Sequence, residues 1–142
     1  MIILKLKIII AVIALAVLGA GYLMIVVLPT PKLDFKKYSN IDYTGWASLI
    51  SSNEDDVRLI TELFNSTESH IEFGNIYPGE SPFVVAILTK ANGEKDKITA
   101  YGAIGGLIVE YNGVPFRVKD SDNFLKKVDR IAQMIHDRDE PQ

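Results

Sequence analysis

An uninterrupted apolar run near the N-terminus constrains this chain more than any other feature. From Ile8 to Leu28 the sequence reads IIIAVIALAVLGAGYLMIVVL, 21 residues without a charge. A helix rises about 1.5 Å per residue, so a run of this length can cross the roughly 30 Å hydrocarbon layer of a bilayer. Cleavable signal peptides have apolar cores of only about 7 to 15 residues. The sequence therefore predicts one transmembrane signal-anchor helix within residues 1–29.

The apolar run has an end that suits a membrane span. Pro29 and Pro31 follow it and stop a helix at the point where a span from Ile8 should finish. Cleavage after Gly21 is the alternative, because Gly19 and Gly21 have the small-residue spacing of a signal-peptidase site. The run continues past that point as MIVVL, which favours an anchor that is retained.

Lysines flank both ends of the run, so their number does not fix its orientation. Lys5 and Lys7 precede it, and Lys32, Lys36 and Lys37 follow it. A tail of a few residues followed at once by an apolar run is typical of a secretory signal that is not removed. We therefore expect a single-pass protein of the bacterial inner membrane and cell envelope, with its C-terminal domain outside the cytoplasm.

The remainder of the chain has the size and charge of one acidic domain. With 142 residues there is room for an anchor and one core. All 18 acidic residues follow the run, and 15 basic residues less Lys5 and Lys7 leave 13, a net charge of −5. A nucleic-acid binder needs a basic surface to neutralise phosphates, so we expect no nucleic-acid partner. The absence of cysteine excludes disulfides and thiolate chemistry.

The pattern beyond the anchor predicts a tether over residues 30–40 and an α+β domain over 41–142. The tether is polar, with two prolines and no sustained period. A weak strand over 41–50, interrupted by Gly45, precedes a helix that begins at Ser52 or Asn53 with three acids in its first turn. A second amphipathic helix begins at Asp120 or Ser121. Its apolar positions form one stripe: Phe124, Leu125, Val128, Ile131, Ala132 and Ile135.

Two Asn-Gly pairs predict hairpins between these helices, because a two-residue type I′ turn needs positive φ at both positions. The pair at Asn112 and Gly113 aligns apolar residues on one face: Tyr111 with Val114, Val109 with Phe116 and Leu107 with Val118. Pro115 cannot donate a ladder bond, so its strand is expected at an edge or with that atom facing solvent. The pair at Asn92 and Gly93 places Ile87 opposite Ile98 and Val85 opposite Ala100. The predicted domain is a small antiparallel β-meander, about five strands between two covering helices.

No motif in the domain has the composition and spacing of a catalytic or ligand site. His70 and His136 have no local nucleophile motif beside them and are interpreted as surface histidines. The acids at Asp120 and Asp122 lack the glycine of a calcium loop and are interpreted as a helix cap. Glycines 102, 105 and 106 precede a strand rather than a helix, which indicates a turn. We expect no enzyme activity, cofactor or metal.

Two segments are candidates for binding a protein partner. The loop GNIYPGESP carries Ile76, Tyr77 and Glu80 among turn-forming residues, and such loops often mediate recognition. Trp46, near Tyr38 and Tyr43, is the second candidate, with burial in the core as the alternative for these aromatic residues.

The expected function follows from the anchor, the acidic domain and the absence of catalytic motifs. We expect a non-catalytic interaction or binding module held at the membrane. An immunity or inhibitor-type protein is its sharper form, since an acidic face could meet a basic partner. The alternative is an accessory subunit of a membrane protein complex, in which the transmembrane helix carries the specificity.

Overall fold

The computed structural model describes residues 1–26, 30–73 and 81–140, which form an N-terminal helix and an α+β domain. The helix α1 covers Ile2–Val26, and a single 3₁₀ turn covers Phe35–Lys37. The domain elements are β1 Tyr38–Thr44, β2 Ser48–Ser51, α2 Glu54–Asn65, β3 Ser69–Ile71, β4 Val84–Lys90, β5 Lys95–Ala103, β6 Gly106–Tyr111, β7 Val114–Val118 and α3 Ser121–Asp139. The predicted α+β class, with five strands between the two covering helices, is confirmed.

Beyond Lys7 the helix α1 is apolar around its whole circumference. Its stretch Ile2–Leu23 is long and apolar enough to cross a membrane, and none of that stretch is buried in the protein. A signal sequence near an N-terminus can satisfy the same criteria of length and composition. A helix that is apolar on all sides has no polar face to turn towards water, which is typical of a membrane span.

The seven described strands form one antiparallel sheet in the order β2-β1-β4-β5-β6-β7-β3. Strands β4 to β7 are consecutive hairpins, while β1 pairs with β4 and β3 pairs with β7. The two edge strands are therefore β2 and β3, of four and three residues. Short edge strands limit unwanted pairing with other chains.

Both helices pack on the same face of the sheet, where the core lies. Helix α2 begins after Asn53, whose side chain accepts a hydrogen bond from the Asp55 amide. Phe64 of α2 lies 6.2 Å from Tyr111 of the sheet and 6.4 Å from Phe124 of α3, measured between ring centroids. Of the predicted stripe on α3, all positions except Leu125 are fully buried. The predicted caps of both helices and the predicted apolar face of α3 are confirmed.

The hairpin between β6 and β7 has the predicted turn and register. Asn112 and Gly113 have φ values of 50° and 85°, as a type I′ turn requires. Tyr111 pairs with Val114 and Val109 with Phe116, but the ladder ends one pair before the expected meeting of Leu107 with Val118. The strand of Pro115 is not at an edge of the sheet, which was one of the two expectations for it, because β3 pairs with the outer side of β7. Pro115 lies beyond the last paired residue of β3, so no ladder bond is lost there.

The predicted register of the hairpin between β4 and β5 is wrong by one residue. Ala86 pairs with Ile98 and Val84 with Ala100, where Ile87 and Val85 had been expected. The Gly93 amide donates to Lys90 O, and Gly93 has a φ of 90°, so the loop has three residues and ends in a left-handed glycine. Because the loop has one residue more than predicted, the side chains of β4 that were expected to face the core lie on the opposite face. Val84, Ala86 and Leu88 are buried, while Val85 and Ile87 are half-buried on the other face.

The predicted single strand over 41–50 is two strands joined by a tight turn. Tyr43 pairs with Leu49 and Ile41 with Ser51, so the chain reverses at Gly45 to Ala47. Strand β1 also begins three residues earlier than expected, at Tyr38, and pairs with β4 on its other side. The sheet therefore includes the end of the segment predicted as a tether.

Candidate functional site

The β1–β2 hairpin, residues 38–51, forms one lateral edge of the domain and has an exposed aromatic tip. The Gly45 amide donates to Ala47 O at 2.9 Å, which closes the turn around Trp46. Trp46 is 48% exposed, although tryptophan is usually well buried. Ile50, on β2, is 74% exposed. The hairpin thus presents two large apolar side chains to solvent.

The turn of this hairpin depends on the close approach of Tyr43 to Gly45. A Cβ atom at Gly45 would lie 2.5 Å from the Tyr43 hydroxyl oxygen, closer than van der Waals contact allows. Tyr43 is fully buried, and burial raises the pKa of its hydroxyl to about 12. Among the described residues its hydroxyl has no hydrogen-bond partner. The tyrosine ring therefore packs against the turn, and only glycine at position 45 leaves room for it.

The other end of the hairpin is fastened to both helices. The Ser51 hydroxyl donates to Asp56 Oδ2 at 2.7 Å, and Arg138 Nη1 of α3 donates to Asp56 Oδ1 at 2.5 Å. Burial alone would raise the pKa of Asp56, but the hydrogen bonds from Ser51 and Arg138 outweigh it and the pKa is lowered. The aspartate is therefore ionised at neutral pH, and it holds the base of β2 while the tip projects.

The main chain of β2 is unpaired on its outer side. In an antiparallel ladder alternate residues direct their amide and carbonyl groups to opposite sides. The Gly45–Ala47 bond sets this alternation, so Leu49 and Ser51 bond to β1 while Ser48 and Ile50 direct their main-chain groups outward. Among the described elements none pairs with this side. The edge combines free hydrogen-bonding groups with the exposed Ile50.

The connection from α1 enters the domain at the opposite edge of the sheet. The Thr30 hydroxyl bonds to the main-chain oxygen of Ser69 at 3.2 Å and to its hydroxyl at 2.5 Å. The Leu33 amide donates to Asn65 Oδ1 at 2.8 Å, and Asn65 Nδ2 donates to Leu33 O at 2.7 Å. We call residues 30–37 the link. Within the predicted tether of residues 30–40, Thr30 is therefore bonded to β3 and Leu33 to α2.

A cleft of about 490 Å³ lies between the link and the end of the sheet. Its floor is apolar and includes Ile98, Tyr111 and Phe116, and Asp96 lies at its side. The Tyr38 hydroxyl donates to Asp96 Oδ2 at 2.6 Å, and this hydrogen bond lowers the pKa of Asp96. The link forms one wall of the cleft, so the cleft is a consequence of how the link packs.

The predicted partner-binding residues do not all fall on described parts of the chain. Ile76, Tyr77 and Glu80 lie outside the described residues, and Trp46 is at the hairpin tip. Trp46 is not joined by Tyr43, which is buried, nor by Tyr38, at the far end of β1. Ile50 was missed, because an isoleucine in a presumed single strand looks like a core residue.

The remaining sequence candidates lie where structural roles would place them. His70 on β3 and His136 on α3 are both exposed. Asp120 caps α3 by accepting from the Asn123 amide at 3.0 Å. Gly105 lies in the turn between β5 and β6 with a φ of 88°, Gly106 begins β6 with a φ of 139°, and Gly102 lies within β5 and not in a turn. Within the described ranges, no group of three metal-ligating side chains lies together.

Comparison with known proteins gave no match: no protein-family model, no curated protein and no solved structure matches this chain.

Proposed function

We propose that this protein is a membrane-anchored, non-catalytic binding module that presents its β1–β2 hairpin to a protein partner outside the cytoplasm. The observation that carries the proposal is the pair of exposed apolar side chains, Trp46 and Ile50, on the edge of the sheet opposite the link. Exposed aromatic residues are enriched where proteins bind one another. The acidic charge of the domain favours a basic partner.

The position of the hairpin supports this use. Six strand spacings of about 4.8 Å separate β2 from β3, so the hairpin edge lies roughly 29 Å across the sheet from the point where the link enters. A domain anchored at one edge leaves the other accessible to a partner in solution or in a neighbouring complex. The free main-chain groups at Ser48 and Ile50 would suit an extended segment that adds as a further strand.

Site-specific photocrosslinking tests the proposal in cells. A crosslinking amino acid replaces Ser48, on the hairpin, or Ser39, an exposed position at the other end of β1. We expect one discrete protein adduct from position 48 and none from position 39. Trp46→Ala and Ile50→Thr should each reduce the adduct at least several-fold.

The matched control is Val114→Thr, which makes the same kind of change at a side chain that is 45% exposed on β7, away from the hairpin. It should leave the adduct unchanged. Equal loss of the adduct in all three variants would mean that the hairpin has no special part in binding.

A crosslinker at Ala16 in α1 tests the alternative function. Adducts from Ala16 with none from Ser48 would favour an accessory subunit whose specificity lies in the transmembrane helix.

The orientation is tested separately by protease protection of a tag added after α3. Digestion of the tag from outside sealed spheroplasts is expected, because the domain is proposed to be extracytoplasmic. Protection until lysis would place the domain in the cytoplasm and overturn that part of the proposal. A mature chain that is larger than a form lacking residues 1–21, and equal in size to the full chain, would show that the anchor is retained.

A further inference from the structure

The charges in α1 fix how deep the helix can lie in a membrane. Lys5 and Lys7 fall within α1 but before the uncharged run. A lysine at the centre of a bilayer costs about 2.5 to 3.5 kcal/mol, and near a helix end it can extend to the interface. A span that keeps both lysines at the interface begins near Ile8 and ends near Leu28. The far boundary of the hydrocarbon layer then falls just before Pro29.

The link begins at once beyond that boundary. Thr30 is two residues after Leu28, so at about 3.5 Å per residue it lies at most roughly 7 Å outside the hydrocarbon. The headgroup layer on each side of a bilayer is about 5 to 8 Å thick. Thr30 is therefore at the level of the headgroups.

Thr30 brings the edge strand β3 to the same depth. Its hydroxyl bonds to Ser69 O and Ser69 Oγ. The Glu72 amide bonds to Pro115 O and the Lys119 amide to Glu68 O, so even-numbered residues of this segment face β7 and Ser69 and Ile71 face outward. Thr30 thus bonds to the outward-facing carbonyl of β3, and α1 also lies against this strand.

We infer that the β3 edge of the domain rests in the headgroup layer of the bilayer that α1 crosses. The inference rests on the proposed function, since it requires α1 to be a retained span. The partner surface is the lipid itself, because the link leaves no room for another protein between β3 and the headgroups. Two exposed lysines lie close to this edge, Lys32 in the link and Lys119, whose amide bonds to Glu68 O, and lipid phosphates would neutralise them.

The bonds of the link make this placement fixed rather than occasional. A link of this length without bonds would let the domain tumble. Two hydrogen bonds hold Thr30 to Ser69, two hold Leu33 to Asn65, and Lys32 Nζ donates to Asn65 O at 2.9 Å. With β3 held at the membrane, the sheet order directs the β1–β2 hairpin away from the attachment edge.

Fluorescence quenching by lipid tests the inference on the full chain. The protein has no cysteine, so single cysteines can be labelled without background. The fluorophore is placed at Tyr22 in α1, at His70 on β3 or at Ser48 on β2, all of them exposed positions. The protein is reconstituted into phosphatidylcholine vesicles that contain lipid spin-labelled near the headgroup. We expect quenching of the fluorophore at Tyr22 and at His70, and no quenching at Ser48.

Variants of the link distinguish fixed docking from mere proximity. Thr30→Val combined with Asn65→Ala removes four of the hydrogen bonds of the link and should reduce quenching at His70 at least two-fold, with no change at Tyr22. Asn123→Ala, at an exposed asparagine of α3 whose side chain makes no hydrogen bond within the described residues, is the control.

Quenching at Tyr22 with equal, low quenching at His70 and Ser48 would overturn the docking while leaving the anchor intact. Failure of the protein to float with the vesicles, together with no quenching at Tyr22, would instead refute the anchor and with it the proposed function.

Discussion

Replacing Asn65 with alanine should release the link from α2 and lower the stability of the domain. The Asn65 side chain makes two partly buried hydrogen bonds to the main chain of Leu33, of 2.8 and 2.7 Å. Each such bond contributes about 1 kcal/mol net, so their loss should cost about 2 kcal/mol. Alanine is the better helix former and offsets a few tenths of a kcal/mol at this last residue of α2.

Thermal unfolding of the full chain in detergent, followed by near-ultraviolet circular dichroism, measures this effect. For a domain of about 100 residues, 1 kcal/mol shifts the Tm by roughly 4 to 8 °C, so Asn65→Ala should lower it by about 10 °C. The control Asn123→Ala removes an exposed amide and should change the Tm by less than about 2 °C. If the two variants unfold at the same temperature, the link is not bonded to α2 as described.

Three further predictions concern the hairpin and the buried polar groups. Gly45→Ala should lower stability by about 1–3 kcal/mol because its Cβ would overlap Tyr43, and Tyr43→Phe in the same chain should recover part of the loss in thermal unfolding. Tyr43→Phe alone should leave the Tm unchanged or raise it, whereas Tyr101→Phe, which loses a 2.7 Å hydrogen bond to a carboxylate, should cost about 2 kcal/mol. Hydrogen bonds from the Arg117 guanidinium to Glu72 and from the Tyr38 phenol to Asp96 hold the pKa values of both acids below their ordinary range. These acids therefore stabilise the fold above about pH 4, and that stabilisation is lost as the pH falls through the pKa of the folded state. In an acid titration of unfolding, Asp96→Asn should lose less stability than the parent protein.

The two Asn-Gly hairpins show why the register could be predicted in one case and not in the other. In β7 apolar and polar residues alternate, and in β6 Glu110 separates Val109 from Tyr111, so the register that buries Val109 and Phe116 together is favoured. In β4 the run FVVAIL is apolar at every position, and a shift by one residue still leaves a hydrophobic face for the core. The turn then decides, and the choice between a two-residue and a three-residue loop is not visible in the Asn-Gly pair itself.

The helices and their caps could be predicted because their signals are local. The acids before Val57 and the apolar spacing on α3 each lie within a few turns of one helix. The exposed Ile50 could not be predicted, because its exposure depends on β2 being the outer strand of the sheet. That order is set by the pairing of β1 with β4, more than 40 residues away in the chain. Trp46 could be proposed because Tyr38 and Tyr43 stand near it in the sequence, but its place at a hairpin tip could not, because residues 41–50 were predicted to form one strand.

The link shows the same limit with the largest consequence for function. Two prolines and several lysines indicate a spacer, and a spacer would leave the domain free to move away from the membrane. The bonds that hold the link to the domain join residues that are far apart in the chain. Leu33 and Asn65 are 32 positions apart, and Thr30 and Ser69 are 39 positions apart. No local pattern in the sequence marks Asn65, the last residue of α2, as a partner of the link. Because an asparagine side chain can bond both main-chain groups of a passing residue, Asn65 turns the end of α2 into the point that holds the link against the domain.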